Sequence, residues 1–389
     1  MSVNWEQIRK KQFPALKNLT YIMAASASPL SKSAYEQGIK YFKDMLMNGD
    51  IHFDFFNEVI NEARDMIAEY LNAKPEEIAF LTNTSSGMTI AALLLEKGEF
   101  LYPSIEFPAS VHIFKRLGFP SRKLVPQNNK YLIESFRNSI TENTKHLIHS
   151  YIQSFTGFRQ NLVTLGNFCS ENNLTNIINA TQSFGSFEID VREQKIDILV
   201  SNALKWTGCG YGAGILYIKE DLIKEKGIPI SGWLSVDDPF TMDNDNLKVI
   251  RKTKSMDALG GCPNFAALMA LKGGLDLIKS KIGNGSITKG VKLIQERIIW
   301  LTSNFIARMK ELKLNSITPL ELEFRSGIIT IEHENAEKIY EYLIKHKIYV
   351  TLKKYPELEK NTLLRFAFNY YNNEKDINKT IEVLSSFLS

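Results

Sequence analysis

Short apolar segments alternate with helical segments between about residues 74 and 218. The apolar segments are EIAFLT, GEFLYPSIE, KHLIHSYI, LTNIINA, DILVSN and AGILYI. Between two of them, LVTLGNFCSENN carries apolar residues at the spacing of an amphipathic helix. Strands that alternate with helices predict a mostly parallel sheet that is covered by helices on both faces.

A helix before this region and a second unit after it complete the predicted organisation. The earlier helix has one apolar stripe, formed by Phe56, Val59, Ile60, Ala63, Met66, Ile67 and Tyr70. Past Pro263, helices alternate with the predicted strands GIITIE, IYVTLK and LLRFAF. We therefore expect a large domain over residues 15–275 and a smaller α+β domain made of residues 1–14 and 276–389.

The composition excludes several classes of protein. Of 389 residues, 44% are hydrophobic and 23% charged, as in ordinary soluble globular proteins. The net charge of +4 is small and spread along the chain, so we expect no nucleic-acid partner. No apolar run approaches the roughly 18 to 20 residues of a membrane helix, and the first residues lack a secretion signal. Three scattered cysteines, Cys169, Cys209 and Cys262, and histidines without metal-ligand spacing predict a reduced, cytoplasmic chain without a metal.

One lysine stands out, because Lys205 follows the apolar strand DILVSN with no acid beside it. The glycines after it lead into a strand and not a helix, which excludes the usual dinucleotide and phosphate loops. Ligands of open α/β sheets bind beyond the carboxyl ends of strands. A desolvated lysine at such a position is a candidate for Schiff-base formation. The alternative is a surface lysine whose ammonium group reaches solvent.

The neighbouring segments favour the first interpretation of this lysine. Polar Asn179 and Gln182 follow another predicted strand, in INATQSFG. After the strand EIAFLT, the start of a helix carries three hydroxyl residues, Thr84, Ser85 and Ser86. Such a helix start suits a phosphate, although simple N-capping would use the same residues. A lysine, a phosphate site and polar strand ends together predict a pocket for pyridoxal phosphate.

With these features the chain resembles the class V aminotransferases, which are fold type I pyridoxal-phosphate enzymes with an aspartate aminotransferase-like fold. It is most similar to their isopenicillin N epimerase-like and cysteine desulfurase-like branches. The resemblance rests on segments in the family's order: YIMAASASPLSKS, EEIAFLTNTSSGM, IEFPASVHIF, QSFTGFRQNL, INATQSFG, SNALKWTGCGYGAGILYI, GGCPNF and LRFAFNYYNNEKDI. It implies an α/β large domain with a mostly parallel seven-stranded sheet and a smaller α+β C-terminal domain.

The resemblance also implies roles for individual residues. Lys205 would form a Schiff base with pyridoxal 5'-phosphate and serve as nucleophile and general base towards an amino-acid substrate. Cofactor-binding positions would be Thr84, Ser85, Ser86, Phe107, Asn179, Gln182, Asn202 and Cys262. Arg365 would hold the substrate carboxylate, and Ala25 would lie in the substrate loop. A homodimer with active sites near the interface is implied, because GGCPNF completes the neighbour's phosphate site in the family.

Several residues depart from the family's pattern. The replaced positions are Ala24, Ala25, Asn179, Asn202, Leu204, Cys262, Ala367 and Asn369. Asn179 stands where the family has an aspartate beside the pyridine nitrogen. The reaction therefore stays open: transamination is the first expectation, and elimination, epimerisation and catalytically silent cofactor binding are alternatives. The C-terminal stretch IYVTLKKYPELEKNTLLRFAF contains no cysteine, so we expect no desulfurase reaction through a persulfide.

Overall fold

A computed structural model describes residues 3–355 and 359–389 of the chain. Its α-helices are α1 (Trp5–Gln12), α2 (Lys32–Asn48), α3 (Phe53–Leu71), α4 (Thr84–Leu94), α5 (Pro108–Arg116), α6 (Ile133–Arg137), α7 (Leu162–Glu171), α8 (Glu220–Lys226), α9 (Phe265–Asp276), α10 (Ile287–Glu311), α11 (Ala336–Lys345) and α12 (Glu374–Leu388). Its strands are β1 (Thr20–Tyr21), β2 (Ile78–Leu81), β3 (Glu99–Pro103), β4 (Ser121–Leu124), β5 (Thr144–Ser150), β6 (Thr175–Asn179), β7 (Ile198–Asn202), β8 (Gly214–Ile218), β9 (Ile328–Glu332), β10 (Ile348–Tyr349), β11 (Thr351–Lys353) and β12 (Leu363–Ala367). None of these helices has the length and apolar character needed to span a membrane.

The large sheet has seven strands in the order β2-β8-β7-β6-β5-β3-β4. Its pairs are parallel except around β8, which runs antiparallel to both of its neighbours. This confirms the prediction of a mostly parallel seven-stranded sheet. The arrangement brings the carboxyl ends of β6 and β7 side by side, because these strands pair directly and in parallel.

Both faces of this sheet are buried. Ile178 and Leu199 belong to one hydrophobic cluster, whereas their chain neighbours Ile177 and Val200 belong to another. Since successive side chains of a strand point to opposite faces, the two clusters lie on the two sides of the sheet. The apolar stripe predicted for α3 is buried throughout in the first cluster, which confirms that helix and its inward face.

The smaller sheet has the antiparallel order β11-β12-β9. The predicted strand IYVTLK is wrong as a single element, because it divides into β10 and β11. β10 pairs in parallel with β1 near the N-terminus, and β11 pairs with β12. Val350, between the two strands, is buried in the small core. Local periodicity could not reveal this change of partner, since β1 lies more than three hundred residues away in the chain.

The ends of the chain meet on the smaller unit. Arg9 of α1 donates two hydrogen bonds to the Asp376 carboxylate of α12, at 2.8 and 3.0 Å. Near the predicted boundary, α9 continues directly into a π-helical turn, Leu277–Ile282. The division into residues 15–275 on one side and 1–14 with 276–389 on the other stays a prediction.

Candidate active site

A cavity of about 320 Å³ lies beyond the carboxyl ends of β6 and β7, and Lys353 of β11 and Arg365 of β12 also line it. Its lining includes seven of the residues predicted from the sequence: Ala25, Thr84, Ser85, Phe107, Asn202, Lys205 and Arg365. These residues come from four different strands or helix starts and from two loops. The topology therefore assembles groups that are up to about 340 residues apart in the chain.

Lys205 lies in the loop between β7 and β8. Its Nζ atom is 5.8 Å from the centre of the Phe107 ring. Burial lowers the pKa of Lys205 to about 7, and the positive charges of Arg365 and Lys353 add to the effect. A large share of the Lys205 amine is therefore neutral near pH 7, which is the form that acts as a nucleophile or a base.

The start of α4 forms one wall of the cavity next to Thr84 and Ser85. Asn83 caps this helix by accepting a hydrogen bond from the Ser86 amide at 3.0 Å. Two glycines permit the close approach: a Cβ atom on Gly87 would lie 2.5 Å from Val200 of β7, and one on Gly214 would lie 2.7 Å from the Asn83 nitrogen. The first N–H groups of a helix lack partners within it, and its dipole favours an anion there.

Arg365, in β12, is 2% exposed. Its Nη1 donates to the carbonyl and hydroxyl oxygens of Ser154 at 2.8 and 3.0 Å, and Nη2 donates to Ser26 Oγ at 2.9 Å. All these acceptors are neutral, and no acid among residues 3–355 and 359–389 forms an ion pair with Arg365. A buried charge without a counter-ion is unfavourable, so this guanidinium suits an anionic ligand.

Gln182, Ser86 and Cys262 do not line the cavity. Gln182 is buried outside the cavity lining. Its Nε2 donates to the Ala25 carbonyl at 3.0 Å, and its Oε1 has no partner in the described part of the chain. The Ser86 hydroxyl donates to Asn83 Oδ1 at 3.2 Å and so belongs to the helix cap. Cys262 is exposed in the segment before α9. Its predicted role depends on a partner subunit and stays a prediction.

Asn179 is also buried outside the cavity lining, and it takes part in a chain of hydrogen bonds. Its Nδ2 donates to Ser110 Oγ at 2.8 Å, and its Oδ1 accepts from the Thr181 amide at 3.0 Å. Ser110 Oγ in turn donates to the buried Glu106 carboxylate at 3.1 Å. Glu106 also accepts a hydrogen bond from the Ser150 amide at 2.7 Å. A carboxylate therefore stands two hydrogen bonds behind the neutral Asn179, and it fixes the orientation of the amide.

Sequence reasoning missed four groups at this site: Ser26, Ser154, Lys353 and Glu106. Ser26 and Ser154 lie within segments that resembled the family, but nothing in their spacing marked them as partners of Arg365. Lys353 carried a signal like that of Lys205, because it is a cation at the end of a predicted apolar strand. Glu106 precedes Phe107 directly, yet its hydrogen bonds reach Ser150, which is 44 residues away.

The described residues fit the cofactor that the resemblance implies. The cavity holds a lysine without an acidic partner, a helix start suited to phosphate and the aromatic ring of Phe107. Outside the lining, the buried Gln182 Oε1 has no partner among the described residues and can accept a hydrogen bond from a ligand or a water molecule. No cluster of three or more potential metal ligands occurs in the part of the chain that the structure describes.

Comparison with known proteins agrees with this assignment. The family Aminotransferase class-V matches residues 20–380. An uncharacterized aminotransferase, YcbU of Bacillus subtilis (strain 168), is 21% identical over 98% of this chain and 97% of that protein. The apo structure of a cysteine desulfurase from Thermococcus onnurineus NA1 superposes with a TM-score of 0.87, at 20% identity, over 100% of this chain and 98% of that one.

A second solved structure carries the cofactor itself. It is a variant of the protein C-DES with glycine covalently linked to pyridoxal phosphate, and it matches with a TM-score of 0.85 at 19% identity. The match covers 96% of this chain and 98% of that chain. At these identities the two structures show a shared fold, and the family match extends over most of the sequence. The chain therefore belongs to the class-V aminotransferase family, whose members are pyridoxal-phosphate-dependent enzymes of fold type I.

Proposed function

We propose that this enzyme acts on the α-amino group of an amino acid and that its reaction is transamination. One observation carries the proposal: Lys205 and Arg365 line the same cavity, and neither forms an ion pair with an acid of the described residues. A neutral amine and a carboxylate-binding guanidinium are the two groups that chemistry at the Cα atom of an amino acid requires.

The chain's own residues have distinct roles in this proposal. The start of α4, with Thr84 and Ser85, would hold the cofactor phosphate, and Phe107 would pack against the cofactor ring. Gln182 and Asn179 do not line the cavity, and their proposed roles towards the ring rest on the family resemblance. When bound, pyridoxal phosphate supplies an electron-withdrawing ring that makes the Cα proton of an amino acid acidic. Lys205 Nζ removes that proton and returns it, as a general base and then a general acid.

Arg365 orients the substrate in the proposed reaction. Its planar fork can bind both oxygens of the α-carboxylate. Ser154 and Ser26 hold the guanidinium in place without neutralising its charge. The Cα–H bond of the amino acid would thereby be held within reach of Lys205. Such positioning raises the rate, because the reacting groups lose less entropy on reaching the transition state.

The proposal is tested by product analysis on the purified enzyme loaded with pyridoxal phosphate. A panel of amino acids is incubated with 2-oxoglutarate or pyruvate, and both keto acid and new amino acid are measured. Transamination predicts that the two products appear in equal amounts. Keto acid and free ammonia without an aminated acceptor would instead identify a lyase. Absence of both products across the panel, together with no racemisation of any amino acid in it, would contradict an enzyme acting on amino acids.

A lyase is the second candidate, and Asn179 is the observation that favours it. Asn179 is neutral and can offer only hydrogen bonds where the family has a carboxylate. Departure of a group from Cβ carries the electron pair away, so elimination depends less on a charged residue behind the ring. Transamination is placed first because the family that matches residues 20–380 is that of the class-V aminotransferases.

Replacing Asn179 by aspartate tests this argument. A nearby negative charge favours the protonated ring nitrogen, so its pKa should rise in the variant. Exchange of the amino-acid Cα hydrogen with deuterium should then become faster, by up to about tenfold for each pKa unit gained. The readouts are the pH dependence of the absorption spectrum of the loaded enzyme and deuterium incorporation by mass spectrometry. Asn172→Asp, at an exposed position after α7 and outside the cavity lining, is the control. Equal spectra and exchange rates in the wild type and the Asn179 variant would refute the argument.

Desulfurase activity through a persulfide is not expected, although relatives carry that name. Burial raises the pKa of Cys209 to about 11 and raises that of Cys169 further, so neither forms a thiolate readily. No cysteine lines the cavity among the described residues, and Cys262 is exposed outside it. Residues 356–358 of the C-terminal stretch lie outside the described residues, but none is a cysteine.

The expected result with cysteine as substrate is no protein-bound persulfide. Mass spectrometry of the enzyme after incubation with cysteine should find all three thiols unmodified. Cys262→Ser serves as the control for the exposed thiol. Persulfide on any of the three cysteines, formed at a rate comparable to turnover, would show the expectation to be wrong.

The homodimer with active sites near its interface stays part of the proposal. Its basis is the resemblance of GGCPNF to a segment that reaches the partner's phosphate site. A cytoplasmic location likewise stays an expectation from the composition.

A further inference from the structure

Three positively charged side chains line the cavity: Lys205, Lys353 and Arg365. None of them forms an ion pair with an acid anywhere in residues 3–355 and 359–389. The proposed function assigns Lys205 to the cofactor and Arg365 to the α-carboxylate of the substrate. Lys353 has no part in either role.

The strand register places Lys353 and Arg365 on one face of the small sheet. In the antiparallel pair of β11 and β12, Thr351 lies opposite Arg365 and Lys353 lies opposite Leu363. Since residues two apart in a strand point the same way, Lys353 and Arg365 are diagonal neighbours across the pair. Burial lowers the pKa of Lys353 to about 8, and the positive charge of the nearby Arg365 adds to the effect.

Aromatic residues hold the Lys353 side chain in this position. Its Nζ lies 5.3 Å from the centre of the Phe155 ring, and Phe155 stacks on Tyr355 with a centroid distance of 6.0 Å. A cation over an aromatic face is attracted to it, but the ring does not neutralise the charge. Lys353 therefore presents a positioned ammonium group to the cavity beside the guanidinium of Arg365.

Two neighbouring cations without acids suit a ligand with two separate negative groups. We propose that Lys353 binds a carboxylate in the side chain of the substrate, so that the enzyme selects dicarboxylic amino acids. Arg365 holds the α-carboxylate, and the charge on Lys353 distinguishes an acidic side chain from its neutral isostere. The proposal rests on the proposed function for its account of the α-amino group, but the recognition of two carboxylates does not require turnover.

The first test compares substrates on the loaded wild-type enzyme and on Lys353→Met, which keeps a long apolar stem. Selectivity is the ratio of kcat/KM for aspartate or glutamate to that for asparagine or glutamine. We expect Lys353→Met to lower this ratio by roughly tenfold to a hundredfold, the range for one charge-assisted hydrogen bond. Lys354→Met removes the exposed neighbouring charge and should leave the ratio unchanged. Cysteate, with a sulfonate side chain, separates a requirement for charge from one for carboxylate shape.

The second test needs no reaction. Binding of succinate and glutarate to the loaded enzyme is measured by calorimetry and compared with binding of propionate and butyrate. The proposal predicts tighter binding of the dicarboxylates and loss of that advantage in Lys353→Met. Preferential dicarboxylate binding without turnover of any amino acid would uphold the role of Lys353 and overturn the proposed function. Turnover with equal preference for acids and amides in the wild type would overturn the role of Lys353 alone.

Discussion

Substitution of Arg365 by lysine is expected to lower kcat/KM for amino acids by roughly a hundredfold or more, because two charge-assisted hydrogen bonds of about 1.5 kcal/mol or more each are lost. A lysine keeps the charge but cannot bind both oxygens of a carboxylate in a fork. It also has one nitrogen in place of the two that donate to Ser154 and to Ser26. The measurement is steady-state kinetics on the best amino acid from the panel, together with calorimetric binding of propionate.

Arg159→Lys is the matched control for this substitution. Arg159 donates from Nε to the Arg325 carbonyl at 2.7 Å and from Nη2 to the Leu322 carbonyl at 3.2 Å, away from the cavity lining. The control should lose stability without losing carboxylate binding. If Arg365→Lys keeps kcat/KM and propionate binding within about threefold of the wild type, Arg365 does not hold the substrate carboxylate.

Substitution of Lys205 should abolish turnover and, in the enzyme without cofactor, increase stability. Loss of the base alone is worth about 100- to 10,000-fold in rate, and loss of the nucleophile adds to it. The gain in stability follows from the lowered pKa of about 7, compared with about 10.4 for a lysine in an unfolded chain. Below pH 7 Lys205 is protonated in both the folded and the unfolded chain, so the folded chain carries the full free-energy cost of burying this charge.

The sign of the pH dependence follows from proton binding. Between pH 7 and about 10.4 the unfolded chain binds more protons at Lys205 than the folded chain does, so stability rises with pH across this window. Lys205→Met should therefore stabilise the apo-enzyme at pH 7 by about 1 to 3 kcal/mol, a range reduced for partial solvent screening. The difference between variant and wild type should shrink towards pH 10.

Urea unfolding of the apo-enzymes at pH 7 and at pH 10 measures this difference. Lys338→Met, on the exposed side of α11, is the control and should show the same small effect at both values. A Lys205→Met apo-enzyme that is no more stable than the wild type at pH 7 would mean that the lysine is solvated, as a surface lysine would be.

Local sequence patterns predicted those residues of the site that lie at the ends of strands or at the start of a helix. Lys205 follows an apolar strand and Asn179 ends one, and the parallel pairing of β6 with β7 places those strand ends together, as alternating strands and helices imply. Thr84 and Ser85 begin a helix directly after β2, so their position needed only the local pattern. The positions of these residues in the site follow from the order of strands in the large sheet, which the predicted class of fold already determines.

The remaining part depends on contacts that no local pattern contains. Lys353 becomes a cavity residue because IYVTLK changes its partner from β1 to β12 at Val350. Ser154 holds Arg365 from 211 residues away, and Glu106 supports Asn179 through Ser110. Gln182 was predicted to bind the cofactor, but it does not line the cavity, and its amide donates to the Ala25 carbonyl.

The central claim is that the amine of Lys205 carries the cofactor in this cavity. The enzyme is saturated with pyridoxal phosphate, reduced with borohydride and digested, and every lysine-containing peptide is examined by mass spectrometry. We predict a pyridoxyl adduct on the peptide that contains Lys205, at close to one per chain, and none on the peptide that contains Lys353. An adduct on another lysine, or no adduct in saturated enzyme, would contradict the account.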